Sequence, residues 1–246
     1  MRILISNDDG VHSEGIIVLA NELKKIAKVV VVAPDRERSA AGHSLTLQHP
    51  LRIEKIRKNF YSVDGTPTDS VILGVNEILK KKPDIVISGI NKGANLGDDI
   101  TYSGTVAAAI EGTLLGIPSF AVSLTSNMNF EFETAAHFAT KVAESIMRYG
   151  LPDETLLNVN VPNLPLDQIN GTMITHQGKR VYDNSIIKKK DPRGKDYFWM
   201  GGESIGFEKE RWTDFDAIEQ DCVSITPIKL DLTNYDVIDE LKGWEI

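Results

Sequence analysis

Two adjacent carboxylates, Asp8 and Asp9, stand in the run Ser6-Asn7-Asp8-Asp9-Gly10, directly after the apolar segment Ile3-Leu4-Ile5. Neighbouring side chains on an extended chain point to opposite sides, so both acids reach one ion only where the chain turns. Gly10 permits that turn. Oxygen ligands of this kind suit Mg²⁺, Mn²⁺ or Ca²⁺. The competing reading is a helix N-cap, with one Asp satisfying the free N–H groups of the next helix. Two acids and an asparagine at a strand end favour the cation.

Two further loops carry the residue types such a site needs. Ala33-Pro34-Asp35-Arg36-Glu37-Arg38-Ser39 follows the second apolar run. Its Ser39 offers a hydroxyl to a metal or a phosphate, and Arg36 and Arg38 offer guanidinium groups to an anion. The charges equally fit a solvated loop with local ion pairs. The third loop runs from Ser88 to Thr105 and contains Asn91, Asn95 and four glycines. Its end, Ser103-Gly104-Thr105, opens a helix, where free N–H groups and the helix dipole form an anion site. Asn95 offers a neutral carbonyl oxygen, Asn91 can bond to phosphate, and Gly104 allows the backbone to approach it. The Gly-Lys-Ser/Thr ending of a P-loop is missing, and the glycine spacing is not that of a dinucleotide fingerprint. A structureless loop of this length in a compact domain is more often functional than idle.

Other residues carry weaker signals. His12 and His43 lie in or near these loops and are read first as surface or supporting histidines. Thr66, Thr68 and Asp69 sit in a turn with a capped helix start, and structure is their expected role. Tyr197, Phe198 and Trp199 suit either a stacking platform or core and dimer packing. Cys222 is expected to be a packed side chain.

The elements that must position these loops follow from hydrophobic patterning. Short continuous apolar runs at 3–5, 29–32, 85–87 and 120–122 alternate with amphipathic segments at 15–27, 71–79 and 105–115. That alternation predicts a parallel sheet covered by helices on both faces, with ligands beyond the carboxyl ends of the strands. A helix is expected over 132–149, strands over 156–161 and 223–227, and a last helix over 235–241. Residues 163–200 are rich in Lys, Asp, Asn and Gly, which points to hairpins. We therefore expect a core over 1–150 and a smaller C-terminal elaboration over 151–246, with a return strand to the core.

Length and composition bound the function classes. A chain of 246 residues buries a substantial core. One cysteine excludes an internal disulfide and a Cys-rich zinc site and fits a reducing compartment, so a cytoplasmic location is expected. No apolar run approaches a membrane span, and the first residues read as a strand rather than a signal peptide. A formal net charge of −8 disfavours wrapping of a nucleic-acid polymer but not binding of a small anion beside a metal.

These segments together resemble the SurE family, the stationary-phase survival proteins that act as 5′/3′-nucleotidases. The matching runs are Asn7-Asp8-Asp9-Gly10, Ala33-Pro34-Asp35-Arg36 through Ser39, Gly65-Thr66-Pro67-Thr68-Asp69, Ser88-Gly89-Ile90-Asn91 through Asn95, and Tyr102-Ser103-Gly104-Thr105. Asn158-Val159-Asn160-Val161-Pro162, Met200-Gly201-Gly202 and Thr213-Asp214 follow, so the resemblance covers nearly the whole chain. Ser13-Glu14 and Asp221-Cys222 depart from the usual family residues and touch none of the site positions.

The resemblance implies a Rossmann-like core and a C-terminal elaboration exchanged between subunits of a homodimer, or a homotetramer. It implies one divalent metal ion per subunit, Mg²⁺ or Mn²⁺, held by Asp8, Asp9, Ser39 and Asn95. Nucleoside monophosphates are the implied substrates, with short polyphosphate in some members. On this basis Asp8, Asp9 and Asn91 are the expected catalytic residues, and Asn91, Ser103, Gly104 and Thr105 the expected phosphate contacts. An ionised Asp such as Asp9 would accept the proton of the attacking water. A nucleotide-binding regulator and an assembly scaffold are the competing classes.

Overall fold

Runs that are apolar at every position form strands buried on both faces. The computed structural model describes residues 1–126, 128–182, 186–200 and 204–244. In chain order its strands are β1 (Arg2–Ser6), β2 (Lys28–Pro34), β3 (Ile53–Arg57), β4 (Phe60–Val63), β5 (Ile85–Lys92), β6 (Ser119–Thr125) and β7 (Thr155–Pro162). They continue as β8 (Thr172–Ile174), β9 (Arg180–Tyr182), β10 (Ile186–Lys190), β11 (Asp196–Met200), β12 (Ser204–Phe207) and β13 (Val223–Lys229). Nine of them form one sheet of order β3-β4-β2-β1-β5-β6-β7-β13-β8. From β4 to β7 every neighbouring pair is parallel. β3 pairs antiparallel with β4, and β13 pairs antiparallel with β7.

Helices cover both faces. α1 (Glu14–Leu23) and α4 (Phe132–Tyr149) share a core with Ile3 and Ile5 of β1. α2 (Pro67–Leu73) and α3 (Gly104–Leu114) lie on the other face, where Leu4 packs with Val71 and Ala108. The split follows the period of two along a strand. Fully buried side chains such as Ile16 and Leu19 each stabilise the fold by roughly 1.5–3 kcal/mol. The chain leaves β1 in one direction, to β2, and later returns on its other side as β5. The crevice at such a reversal is where sheets of this kind hold ligands.

The main sheet continues past residue 150 through β7, β13 and β8. The polar segment after β8 forms two antiparallel ribbons, β10 with β11 and β9 with β12, as its composition suggests. α5 (Asp214–Glu219) and α6 (Ile238–Leu241) complete the chain. Gly201 and Gly202 lie outside the described residues. Among the described residues no helix is long and apolar enough to cross a membrane.

Candidate active site

The carboxylate pair sits on the turn that leaves β1. The Asn7 side chain closes that turn, donating from Nδ2 to the Gly10 carbonyl (3.1 Å) and to Ser13 Oγ (2.8 Å). Gly10 has φ +94°, and a Cβ there would lie 3.0 Å from the Arg36 carbonyl carbon, so the position needs glycine twice over. Neither Asp8 nor Asp9 caps α1. The residue before that helix is Ser13, whose hydroxyl is engaged with Asn7. The N-cap reading of the two acids is thereby set aside.

β5 delivers the second set of residues. Its register against β6 shifts between Ser88 and Asn91, a bulge that re-aims the strand end at the cleft. The Lys92 N–H donates to Asp9 Oδ2 at 3.2 Å. Asn91 donates one Nδ2 hydrogen to the Gly93 carbonyl (2.9 Å), and no hydrogen bond reaches its Oδ1 among the described residues. Asn95 is buried, and its Nδ2 donates to Ser123 Oγ at 2.7 Å. No hydrogen bond reaches its Oδ1 among the described residues.

The start of α3 holds a carboxyl group, and that carboxyl belongs to the protein. Thr105 donates its hydroxyl to Asp8 Oδ1. Thr105 is fully buried and does not line the cleft, whereas Ser103 does. Ser103 Oγ also accepts from the Val106 N–H at 3.1 Å and so caps the helix. A Cβ at Gly104 would lie 2.9 Å from Asp8 Cβ. The sequence suggested that Gly104 clears space for phosphate. In the structure the space that Gly104 leaves clear is occupied by Asp8.

Asp8, Asp9, Glu37, Ser39, Asn91, Lys92, Asn95, Asp99, Tyr102 and Ser103 line one cleft of about 410 Å³. Ser39 donates its hydroxyl proton to Glu37 Oε1 at 2.5 Å, which leaves its oxygen lone pairs for another partner. Two carboxylates, a hydroxyl with its proton engaged and an unbonded amide oxygen fit a hard divalent cation. The described residues contain no group of three or more His, Cys, Asp and Glu placed to hold a metal. A cation here therefore depends on the neutral oxygens of Ser39 and Asn95 beside the two acids. Acids outnumber bases on the cleft wall, so an anionic ligand needs a cation to reverse the field.

Electrostatics point the same way. Burial raises the Asp8 carboxyl above its ordinary value, against the pull of the hydrogen bonds from Thr105. Burial, then the charge of Asp8 beside it, pushes Asp9 up to about 6. Both shifts tax the ionised pair, and a divalent cation removes that tax. Protonation of Asp9 would compete with a cation held there, so Mn²⁺ affinity is expected to fall about tenfold per pH unit below about pH 6. Mn²⁺ titrations at pH 5.0, 6.0 and 7.5 check this. The raised Asp9 carboxyl also makes stability depend on pH. The favourable contribution is full below the ordinary 3.8 and lost as pH rises through about 6. The metal-free Asp9→Asn protein is therefore expected to melt higher than its parent at pH 7.5.

The family model described as "Survival protein SurE" matches residues 3–184. The chain belongs to the SurE family. A Geobacter sulfurreducens protein named 5′-nucleotidase SurE is 53% identical, with 100% of this chain and 94% of that protein covered. A Nitrosococcus oceani protein of the same name is 53% identical, with 99% and 97% covered. The crystal structure of the SurE protein from Aquifex aeolicus superposes with a TM-score of 0.91 at 49% identity and covers 98% of each chain.

Several residues weighed from the sequence have other duties in this SurE chain. His43 faces Glu111 of α3 (Nε2 to Oε2, 2.9 Å). Arg38 pairs with Asp35 and donates to the Asp64 carbonyl at 3.2 Å, while Arg36 lies exposed near Asp35. His12 does not line the cleft. Thr66 and Asp69 form a reciprocal capping box at the start of α2. Tyr197, Phe198 and Trp199 are exposed on the β10–β11 hairpin and do not line the cleft.

Asp214 had no assigned role in the sequence, and it proves to anchor the site loop. Fully buried, it accepts from the N–H groups of Gly97 (2.8 Å), Gly178 (2.9 Å) and Phe215 (3.0 Å). Burial raises its carboxyl, and these three bonds pull it back. Asp214→Ala leaves those donors without an acceptor, which costs roughly 2–4 kcal/mol. A Tm lower by about 5–15 °C is expected in thermal denaturation.

Proposed function

We propose that this chain is a divalent-cation-dependent phosphomonoesterase. It hydrolyses nucleoside 5′- and 3′-monophosphates to nucleoside and phosphate, and short polyphosphate as a secondary substrate. The observation that carries the reading is the acidic cleft at the reversal point of the sheet, where Asp8, Asp9, Ser39 and Asn95 present only oxygen donors. Full-length relatives named 5′-nucleotidase support the substrate class.

Asp8, Asp9, Ser39 and Asn95 hold Mg²⁺ or Mn²⁺, one per subunit. The chemistry that ion supplies is polarisation of a phosphoryl oxygen and acidification of a water. Asn91, Ser103 and the Gly104 N–H orient the phosphate where charge develops. Thr105 keeps Asp8 aimed at the cleft. The working form is a homodimer that exchanges C-terminal segments, or a tetramer of such pairs. Ile186, Phe198 and Trp199, exposed on one hairpin, support an apolar contact there. One thiol in 246 residues fits the cytoplasm.

Phosphate release from a panel of mononucleotides, a nucleoside cyclic phosphodiester and tripolyphosphate tests the reading. Turnover of the monoesters with Mn²⁺, and none of the diester, is the expected result. Tight mononucleotide binding without release favours a regulator, and assembly without metal binding favours a scaffold; either outcome contradicts the proposal.

A further inference from the structure

Asn158 and Asn160 of β7, Ser123 of β6 and Ser224 of β13 are buried polar side chains on three neighbouring strands of the sheet. Asn158 and Asn160 of β7 are fully buried and share one face, two residues apart. Ser123 of β6 is the register partner of Asn160, and Ser224 of β13 is its partner on the other side. A buried carboxamide in such a place is costly unless its hydrogen bonds are made. Asn158 Oδ1 has no partner among the described residues, but the bonds that Asn158 Nδ2 and both polar groups of Asn160 make converge on one residue in another loop.

That residue is Asn95. Asn158 Nδ2 donates to the Asn95 carbonyl at 2.8 Å. Asn160 Nδ2 donates to the same carbonyl at 2.9 Å, and Asn160 Oδ1 accepts from the Asn95 N–H at 2.9 Å. Ser123 Oγ then accepts from the Asn95 side-chain Nδ2 at 2.7 Å. Both backbone polar groups of Asn95 and the nitrogen of its side chain are thus fixed from the sheet. The remaining polar atom, Oδ1, belongs to a residue that lines the cleft.

We infer that Asn158, Asn160 and Ser123 are positioning residues for the cation site, acting through Asn95. The inference rests on the reading of Asn95 as a ligand of the cation. A neutral amide oxygen contributes no net charge, so its value as a ligand depends on being held at the coordination distance with its dipole aimed at the ion. Asn95 lies between the end of β5 at Lys92 and the 3-10 turn that begins at Gly97, flanked by Gly93 and Gly97 and outside any strand or helix of its own. The sheet holds it in place.

The test is Mn²⁺ binding by calorimetry on metal-stripped protein, which reads the site without turnover. Asn160→Ala is expected to weaken Mn²⁺ binding by about 10- to 100-fold, the range for residues that orient metal ligands. Asn158→Ala, which removes one donor, and Ser123→Ala are expected to weaken it less. The deciding arm is Asn160→Ala in an Asn95→Ala background. There the ligand is already gone, so the second change is expected to move Mn²⁺ affinity less than about twofold. An equal loss in both backgrounds overturns the inference, as does unchanged Mn²⁺ affinity in folded Asn160→Ala. If Asn160→Ala does not fold, Asn158→Ala carries the same comparison. If Asn95→Ala itself binds Mn²⁺ as the parent does, Asn95 is no ligand, and the metal reading fails along with the clamp. If Asn95→Ala binds weakly and Asn160→Ala normally, the clamp alone is wrong.

Discussion

Asp8→Asn is expected to lower kcat/KM for a nucleoside monophosphate by about 10³-fold or more, which corresponds to about 4 kcal/mol. The substitution removes one of the two charges in the proposed ligand set and leaves the size of the side chain unchanged. The Asn oxygen still accepts from the Thr105 hydroxyl that now bonds Asp8, so the turn and the start of α3 persist. The variant also loses a carboxyl that burial has raised above its ordinary value. The metal-free variant is therefore expected to melt no lower than its parent at pH 7.5. Lost Mn²⁺ binding with retained fold, measured by calorimetry and thermal denaturation, is the combined signature. Near-parental turnover at low Mn²⁺ contradicts it.

Gly104→Val is expected to have an effect of similar size for a different reason. The added Cβ would stand 2.9 Å from Asp8 Cβ and 3.0 Å from Asp8 Oδ2. Neither group is the free end of a long side chain, so Asp8 or the helix start must shift. Displacing Asp8, a ligand in the proposed site, by even 1 Å would break the geometry a hard ion needs. Mn²⁺ affinity is expected to fall at least about 100-fold, and activity with it. From the sequence alone the opposite order is expected, with phosphate binding lost first and metal affinity kept. Mn²⁺ titration and phosphate inhibition on Gly104→Ala, a milder intrusion, separate the two. Loss of phosphate inhibition with intact Mn²⁺ affinity would restore the first expectation.

The difference between those two expectations shows where the sequence is readable. Type and position in the chain are legible: Asp8 and Asp9 after an apolar run, and a glycine-spaced loop before an Ala-rich helix. The alternation of apolar runs and amphipathic segments is legible too, and β1, β2, β5, β6 and α1, α3 and α4 follow it. What touches what across the fold is not. Nothing local says that Thr105, 97 residues from Asp8, takes up its carboxylate. Asn158 and Asn160 look like ordinary strand residues until Asn95 is seen between them.

Strand β3 escapes notice because charge hides it, and β4, Phe60-Tyr61-Ser62-Val63, because it is only four residues long. Ile53-Glu54-Lys55-Ile56-Arg57 lies at the sheet edge with most side chains exposed, and edge strands carry charges that discourage pairing with another chain. The segment 71–79 reads as one helix. It proves to be the end of α2, which starts at Pro67, followed by a π-helical turn over Gly74–Leu79. Asp214 is visible in the sequence only as part of a family match. Its function depends on the Gly97 and Gly178 N–H groups, which lie 117 and 36 residues away.

The central claim is that an oxygen-ligated divalent cation at Asp8, Asp9, Ser39 and Asn95 drives phosphomonoester hydrolysis. It is tested most directly by phosphate release from a nucleoside 5′-monophosphate after exhaustive chelation, followed by stepwise return of Mn²⁺ or Mg²⁺. Turnover is expected to vanish on chelation and to recover in proportion to cation bound, with a stoichiometry of one per subunit and no requirement for zinc. Full turnover by the rigorously stripped protein would contradict the account.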